Sequence, residues 1–292
     1  MILISKHSLT RSTLSVLTLS TLLLSACSLP IADRVSQSPE LHWNSPTAQT
    51  QWHETLTQIQ SAPVILLGEQ HDAPEHHAIE TDTVRELAAR GKLAALVMEM
   101  ADAGVSTSGL PTNASEAEVQ NRLNWNDKGW PWKSYGPTVM AAVRANIPVL
   151  GGNLPRGQMA NTMKNAHLDQ HLDAKAMQIQ INTIKEGHCN LLPETQLQPM
   201  TRIQLARDES MARVVASAVT GDRTVLLVAG HGHVRTRVGV PTWLPRDLPY
   251  KAVIAQAGQV KGAIKDEADI FIVTHELPQK DHCAELRERF KR

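Results

Sequence analysis

The sequence predicts an α/β fold in which a mostly parallel sheet is flanked by helices and carries a helical insertion or subdomain. Two observations carry this reading. Continuous apolar runs at 64–67, 93–98 and 224–229 are patterned for burial on both faces, and they alternate with segments of helical period. Between the third strand and the resumption of the sheet, residues 154–220 are almost wholly helical in pattern.

Taken in order, residues 52–59 read as a short amphipathic helix, and Pro63 opens the first strong strand over 64–67. Asp72 with Glu75 three positions on is a helix-start signature, the Asp carboxylate capping open amides and the Glu reaching back. The helix continues through Ile79, Thr83, Val84 and Leu87 and stops at Gly91. The strand at 93–98 leads to Glu99, Ser115 and Glu118 mark another capped helix, and 135–146 is helical. A third strand at 147–150 ends in Gly151-Gly152-Asn153. The helical insertion spans about 154–222 and includes a long element with Ile203, Leu205, Met211, Val214 and Val215. Strands at 224–229, 251–255 and 270–274 and a helix at 284–290 complete the chain.

The first fifty residues are expected to stand apart from this domain. Lys6 and Arg11 precede an apolar stretch at 14–24 that is too short to span a bilayer stably and fits a secretory signal. It closes in Leu24-Ser25-Ala26-Cys27, which resembles the lipobox of bacterial lipoproteins, where cleavage precedes a cysteine that is then lipidated. Residues 1–26 are read as the signal peptide, Cys27 as the lipidation site, 27–50 as a Ser-, Pro- and Gln-rich lipidated tether, and 51–292 as the domain. Ser28 stands where lipoproteins retained in the inner membrane usually carry Asp, which points to the periplasmic side of the outer membrane. Lys+Arg and Asp+Glu balance at 29 each, so no basic field draws the chain to phosphate backbones and nucleic acid is not an expected partner. The interior holds no apolar run of membrane-spanning length, so membrane contact is expected through the lipid anchor only.

With Cys27 set aside, Cys189 and Cys283 form an even pair in an exported chain, which favours a disulfide over two buried thiols or metal ligands.

One short pattern occurs twice. The strand at 64–67 runs into Gly68-x-x-His71, and the strand at 224–229 runs into Gly230-x-x-His233. Each is a buried strand that delivers a glycine and a histidine at its C-terminal end, the edge where ligands sit in open parallel sheets. Glu69, His71, Glu99 and His233 are the candidates there, as ligands of a divalent transition metal or as acid and base groups of a metal-dependent hydrolase. Hydrogen bonding that merely fixes the loops is the alternative, and His76 and His77 sit one helical turn further on. No His-Glu-x-x-His zinc signature, Gly-x-Ser-x-Gly elbow or phosphate loop is present. A second concentration runs from Trp125 through Trp130, Pro131 and Trp132 to Tyr135, holding three of the six Trp and one of the two Tyr. It suits either a planar apolar ligand or a hydrophobic seal on the sheet, and tyrosine is an axial ligand class for haem iron.

Together these residues resemble the ChaN-like haem-binding lipoprotein family, which is similar at the Gly-x-x-His strand ends to the wider group of Tiki, TraB and erythromycin-esterase-like proteins. The motifs are Gly68-Glu69-Gln70-His71-Asp72 with His76-His77, Glu99-Met100, Trp130-Pro131-Trp132 with Tyr135, and Asn153-Leu154-Pro155. Further on come His188-Cys189-Asn190, Gln204 to Asp208, Gly230 to His233 and Asp281-His282-Cys283. The resemblance implies a periplasm-facing outer-membrane lipoprotein that binds ferric haem b in iron acquisition, as a homodimer with two haems face to face. It implies Tyr135 as the ligand of the haem iron, with His76, His77 or His188 as alternatives, and Arg207 or Arg202 as propionate partners.

Overall fold

The computed structural model describes residues 39–260 and 262–290. The signal peptide over 1–26 and Cys27 lie outside the described residues. The elements follow in the order β1 (Glu40–His42), α1 (Ala48–Ile59), β2 (Val64–Glu69), α2 (Pro74–Ala89), β3 (Leu93–Asp102), α3 (Glu116–Arg122), α4 (Trp132–Arg144) and β4 (Val149–Asn153). After them come α5 (Met159–Thr162), α6 (Ala174–Gly187), α7 (Glu194–Ala218), β5 (Thr224–Gly230), α8 (His231–Val234), β6 (Tyr250–Ala257), β7 (Ile270–Thr274) and α9 (Ala284–Phe290). The seven strands make one sheet in the order β1-β7-β6-β2-β5-β3-β4, and every pairing is parallel. The expected α/β class with a mostly parallel sheet is what the chain adopts, and the insertion is helical as read.

The central strands are buried on both faces because their inner runs, 64–67, 93–98 and 225–229, are apolar at consecutive positions. Along β2, Ile65 and Leu67 join a core with Trp52 and Leu56 of α1, Ile79 and Leu87 of α2, and Val139 of α4. Val64 and Leu66 point the other way, into a core with Met211 and Val215 of α7. This alternation with period two fixes which face each strand-end side chain meets. Glu69 follows Ile65 and Leu67 and emerges on the α2/α4 face. Glu99 follows Val97, which packs with the α7 core, and emerges on the α7 face.

Several expected boundaries move. The fold begins inside the segment read as a tether at 27–50, since β1 pairs with β7 and α1 starts at Ala48. Three residues of β1 show no apolar period, because their order comes from backbone pairing rather than side-chain burial. Helix α2 does not use Asp72 as its cap. Ala73 is the N-cap and Pro74 occupies the first turn, where a missing N–H costs nothing. Glu75 instead accepts from the His275 backbone N–H at 2.8 Å. The stop is as read: Gly91, at φ 65°, closes a Schellman motif in which the Lys92 N–H reaches the Leu87 carbonyl. Strand β3 continues to Asp102, so Glu99 lies within it rather than after it, and α4 starts at Trp132, three residues before the expected position. The Ser115/Glu118 capping box is present on both sides.

Cys189 and Cys283 are joined by a disulfide, with their Cα atoms 5.8 Å apart. It ties the turn between α6 and α7 to the segment before α9, where His282 lies 3.6 Å from Asp72. Because the bond spans a sequence separation of 94, replacing both cysteines by serine should lower stability by at most about 4–5 kcal/mol on the chain-entropy account. Urea denaturation of the double variant against the oxidised parent measures this.

Candidate functional site

The C-terminal ends of β2, β3 and β5, with the helices packed over them, bring a chain of acids and imidazoles together. Glu69, 1% exposed, ends β2. Its Oε1 accepts from the Tyr135 hydroxyl at 2.8 Å and lies 2.8 Å from His71 Nδ1, while its Oε2 lies 3.1 Å from His77 Nε2. Burial alone would raise the Glu69 carboxyl, but hydrogen bonds from His71 and His77 outweigh it and hold the group far below the usual carboxylate range. On the opposite face Glu99 accepts from the Gly230 N–H at 2.7 Å and sits 3.3 Å from His233 Nε2. Burial works against its charge as well, yet His233 and His71 bring it down to about 2.

His233 is buried between Glu99 and Asp208, whose Oδ1 lies 2.5 Å from Nδ1. Burial disfavours the imidazolium, but the two carboxylates prevail and push its pKa to about 10. Asp208 is itself raised to about 6 by burial, a rise that His233 only partly offsets. His71 bridges the two faces over the strand ends, with Nδ1 on Glu69 and Nε2 4.0 Å from Glu99. Burial would lower His71, but Glu69 and Glu99 raise it. Its side chain is 42% exposed, far more than those of Glu69, Glu99 and His233.

The glycines of the repeated pattern have reciprocal steric roles. A Cβ on Gly68 would stand 2.3 Å from Val234 and 2.9 Å from the His231 Cα, in the second motif. A Cβ on Gly230 would stand 2.8 Å from His71 Nε2, in the first. Each motif fits against the other because the facing glycine lacks a side chain.

The structure sorts the candidates. Glu69, His71, Glu99 and His233 do come together, but as carboxylate–imidazole pairs rather than as one set of open metal ligands. His76 is buried away from solvent, accepting from the Gln70 N–H at 2.9 Å and sharing a hydrogen bond with the Thr274 hydroxyl at 2.9 Å. Burial lowers its pKa to about 4, and both ring nitrogens are occupied by links between loops in this structure. Tyr135 is 1% exposed and donates to Glu69, and burial together with Glu69 raises the phenol well above its usual value. In this structure the hydroxyl that the resemblance implied as the iron ligand is engaged by Glu69. His188 lies at the turn after α6 with Nδ1 2.8 Å from the Ile184 carbonyl, and Arg207 is half-buried on α7. Neither lines the groove described below. Arg202 is engaged by Asp169.

The aromatic segment packs mainly as a seal. Trp125 meets Trp132 edge-on at 5.0 Å, Trp132 Nε1 donates to Glu116, and Trp130 meets the His71 ring edge-on at 4.9 Å. Sequence reasoning missed Glu80, on the inner side of α2, and gave Asp208, on the inner side of α7, only as the end of a motif without a role. The signal was there in both cases: a lone acid among apolar positions at helical spacing, three residues after His77 and three before Met211.

Beside this cluster, between the start of α1, α2 and α4, runs a groove of about 890 Å³. His71 and His77 stand in its wall with Trp43, Pro74 and Pro137, and Arg85 and Lys133 supply cations.

The profile of the haem-binding uptake family of the Tiki superfamily, ChaN, matches residues 55–244, well over half of the chain. The chain belongs to the ChaN family. Among solved structures it is similar to ChaN of Campylobacter jejuni, described with cofacial haem binding, at a TM-score of 0.62 and 22% identity over 75% of this chain and 90% of that one. The type III effector HopBA1 aligns with a TM-score of 0.43 and 15% identity over 76% of this chain and 92% of that one. No curated sequence matches. The ChaN-family fold is therefore shared with the Campylobacter protein, and a role in haem or iron acquisition is the family's.

Removing the His233 ring would leave Glu99 and Asp208 buried without their counter-charge. His233→Ala should cost about 3–5 kcal/mol at pH 7, read from urea denaturation. Since the pKa of His233 is raised, its contribution is complete below pH 6.5 and fades as pH rises through about 10. The gap between parent and variant should narrow over that interval.

Proposed function

We propose that this protein binds ferric haem b in the groove beside His71, in haem or iron acquisition at the periplasmic side of the outer membrane, held there by lipid at Cys27. The groove carries the reading. Its volume suits a porphyrin, its Trp and Pro walls suit an apolar macrocycle, and Arg85 and Lys133 suit two propionates. Each Å² of porphyrin surface removed from water would contribute about 25 cal/mol. Ferric iron would supply a Lewis-acid centre for one imidazole. His71 is the ring we assign to it, because it stands in the groove wall, is the more exposed of the two histidines there, and has Glu69 on Nδ1 to raise its basicity. Cofacial haem in the Campylobacter relative supports a homodimer in which a second copy brings a second haem against the first.

Hemin titration of the soluble domain tests this by visible absorption. The wild type should saturate with a shifted Soret band, and His71→Ala should remove the ligand-dependent part of that shift. Arg85→Glu with Lys133→Glu should weaken binding at least about tenfold, whereas Tyr135→Phe should leave the band in place. Gly230→Ala, which pushes on His71 Nε2, should move the band without unfolding the chain. Iron needs a neutral imidazole, and His71 keeps its proton to higher pH than a free histidine, so affinity should rise as pH increases above 6.5. A wild-type spectrum that does not change saturably with hemin would overturn the reading.

A further inference from the structure

One set of buried polar atoms is matched only within itself. Glu80 is 1% exposed, and its carboxyl has no donor from any other side chain, facing only the Glu69 carboxylate. Glu69 Oε2 and His77 Nε2 stand 3.1 Å apart and have no further partner. Buried polar groups are nearly always fully paired, so two carboxyl groups and an imidazole turned on one another at one point mark a place for something that accepts lone pairs. Single ligand atoms from Glu69, His77 and Glu80 all lie within 4.8 Å of one another. Ligands at about 2.0–2.2 Å from a common ion fall within such a spacing.

The geometry points to a divalent transition-metal site formed by Glu69, His77 and Glu80. Two carboxylates and one imidazole suit Zn²⁺, Mn²⁺ or Fe²⁺, and the two negative charges balance the ion in a region that holds no Lys or Arg among these ligands. The site has its outer support in place. Glu69 Oε1 is held by the Tyr135 hydroxyl and His71, which fixes the carboxylate plane and leaves Oε2 turned toward His77 and Glu80. His77 also has an edge-on contact with the Tyr135 ring at 4.8 Å. An entry path exists, because His77 lines the groove and is 11% exposed, while Glu69 and Glu80 lie behind it. Three protein ligands leave coordination positions open, the pattern of reactive rather than purely structural sites. This set shares Glu69 with the quartet of Glu69, His71, Glu99 and His233 but takes its other two ligands from α2, and it does not depend on haem.

The test uses the haem-free mature chain, stripped with chelator and dialysed. Calorimetric titration with Zn²⁺ and, separately, with Mn²⁺ should show one ion per chain for at least one of them, confirmed by elemental analysis after gel filtration. Glu80→Gln keeps the shape and removes the ligand oxygen charge, and it should weaken that binding at least about tenfold. His188→Ala, outside the cluster, should bind as the parent does. Far-UV circular dichroism checks that each variant is folded. If Glu80→Gln does not fold, His77→Gln takes its place with the same expectation. A parent that binds neither ion, or a folded Glu80→Gln with unchanged affinity, overturns the proposal; in the first case Glu80 holds a proton in place of a metal. Hemin binding is read separately from the Soret band, so failure of either reading leaves the other standing.

Discussion

A buried carboxylate at the end of the central strand of the sheet governs this structure. Glu69 ends β2 as the last of six consecutive buried residues, with 1% of its own surface exposed. A charge so placed is tolerated only when donors close around it, and the surrounding elements supply them: the loop after β2 brings His71, α2 brings His77, and α4 brings Tyr135. The orientation of α4 against α2 is thereby tied to the two oxygens of one carboxylate. The neighbouring Thr81 and Thr138 hydroxyls, 2.8 Å apart, fasten the same two helices one turn further along.

The sheet repeats this arrangement on its other face. Period-two alternation sends Glu99 toward α7, where Asp208 and His233 complete a second charged group. Two acidic centres, separated by the thickness of the sheet and joined over its edge by one imidazole, need close approach of the loops that carry them. Gly68 and Gly230 permit that approach, each by leaving space for the other motif. The recurrence of Gly-x-x-His is thus a packing condition as much as a chemical one, and it ties β2 to β5, which pair in register from Val64 and Val225 onward.

Much of the sheet and the meeting of Glu69, His71, Glu99 and His233 were legible in the sequence, because continuous apolar strands and residues placed directly at their ends have a defined destination. The remainder was not, for identifiable reasons. Strand β1 is held by backbone hydrogen bonds, which leave no side-chain pattern. The cap of α2 is supplied by Pro74 and the loop rather than by the Asp72/Glu75 pair, because Glu75 is taken by His275, two hundred residues away. Glu80 and Asp208 come from helix faces whose pairing with a particular strand end is a tertiary fact. Tyr135 was legible as a member of the site, although the chain gives its position on α4 but not that its hydroxyl turns inward to Glu69.

Which group a ligand in the groove can engage follows from the same charge pairing. Withdrawing His233 would strand Asp208 and Glu99, and withdrawing Tyr135 would open the space under Glu69. If His71 Nε2 turns to a ligand, Glu69 keeps Tyr135 and His77 besides its contact with His71 Nδ1, and Glu99 keeps the Gly230 N–H and His233. Neither of these two carboxylates is left without a partner. His71 is also the exposed member of this group, so the ring that solvent reaches is the ring the network can release. The buried pairs provide a fixed electrostatic frame, and the exposed imidazole between them is the part that remains free to exchange a carboxylate contact for a ligand.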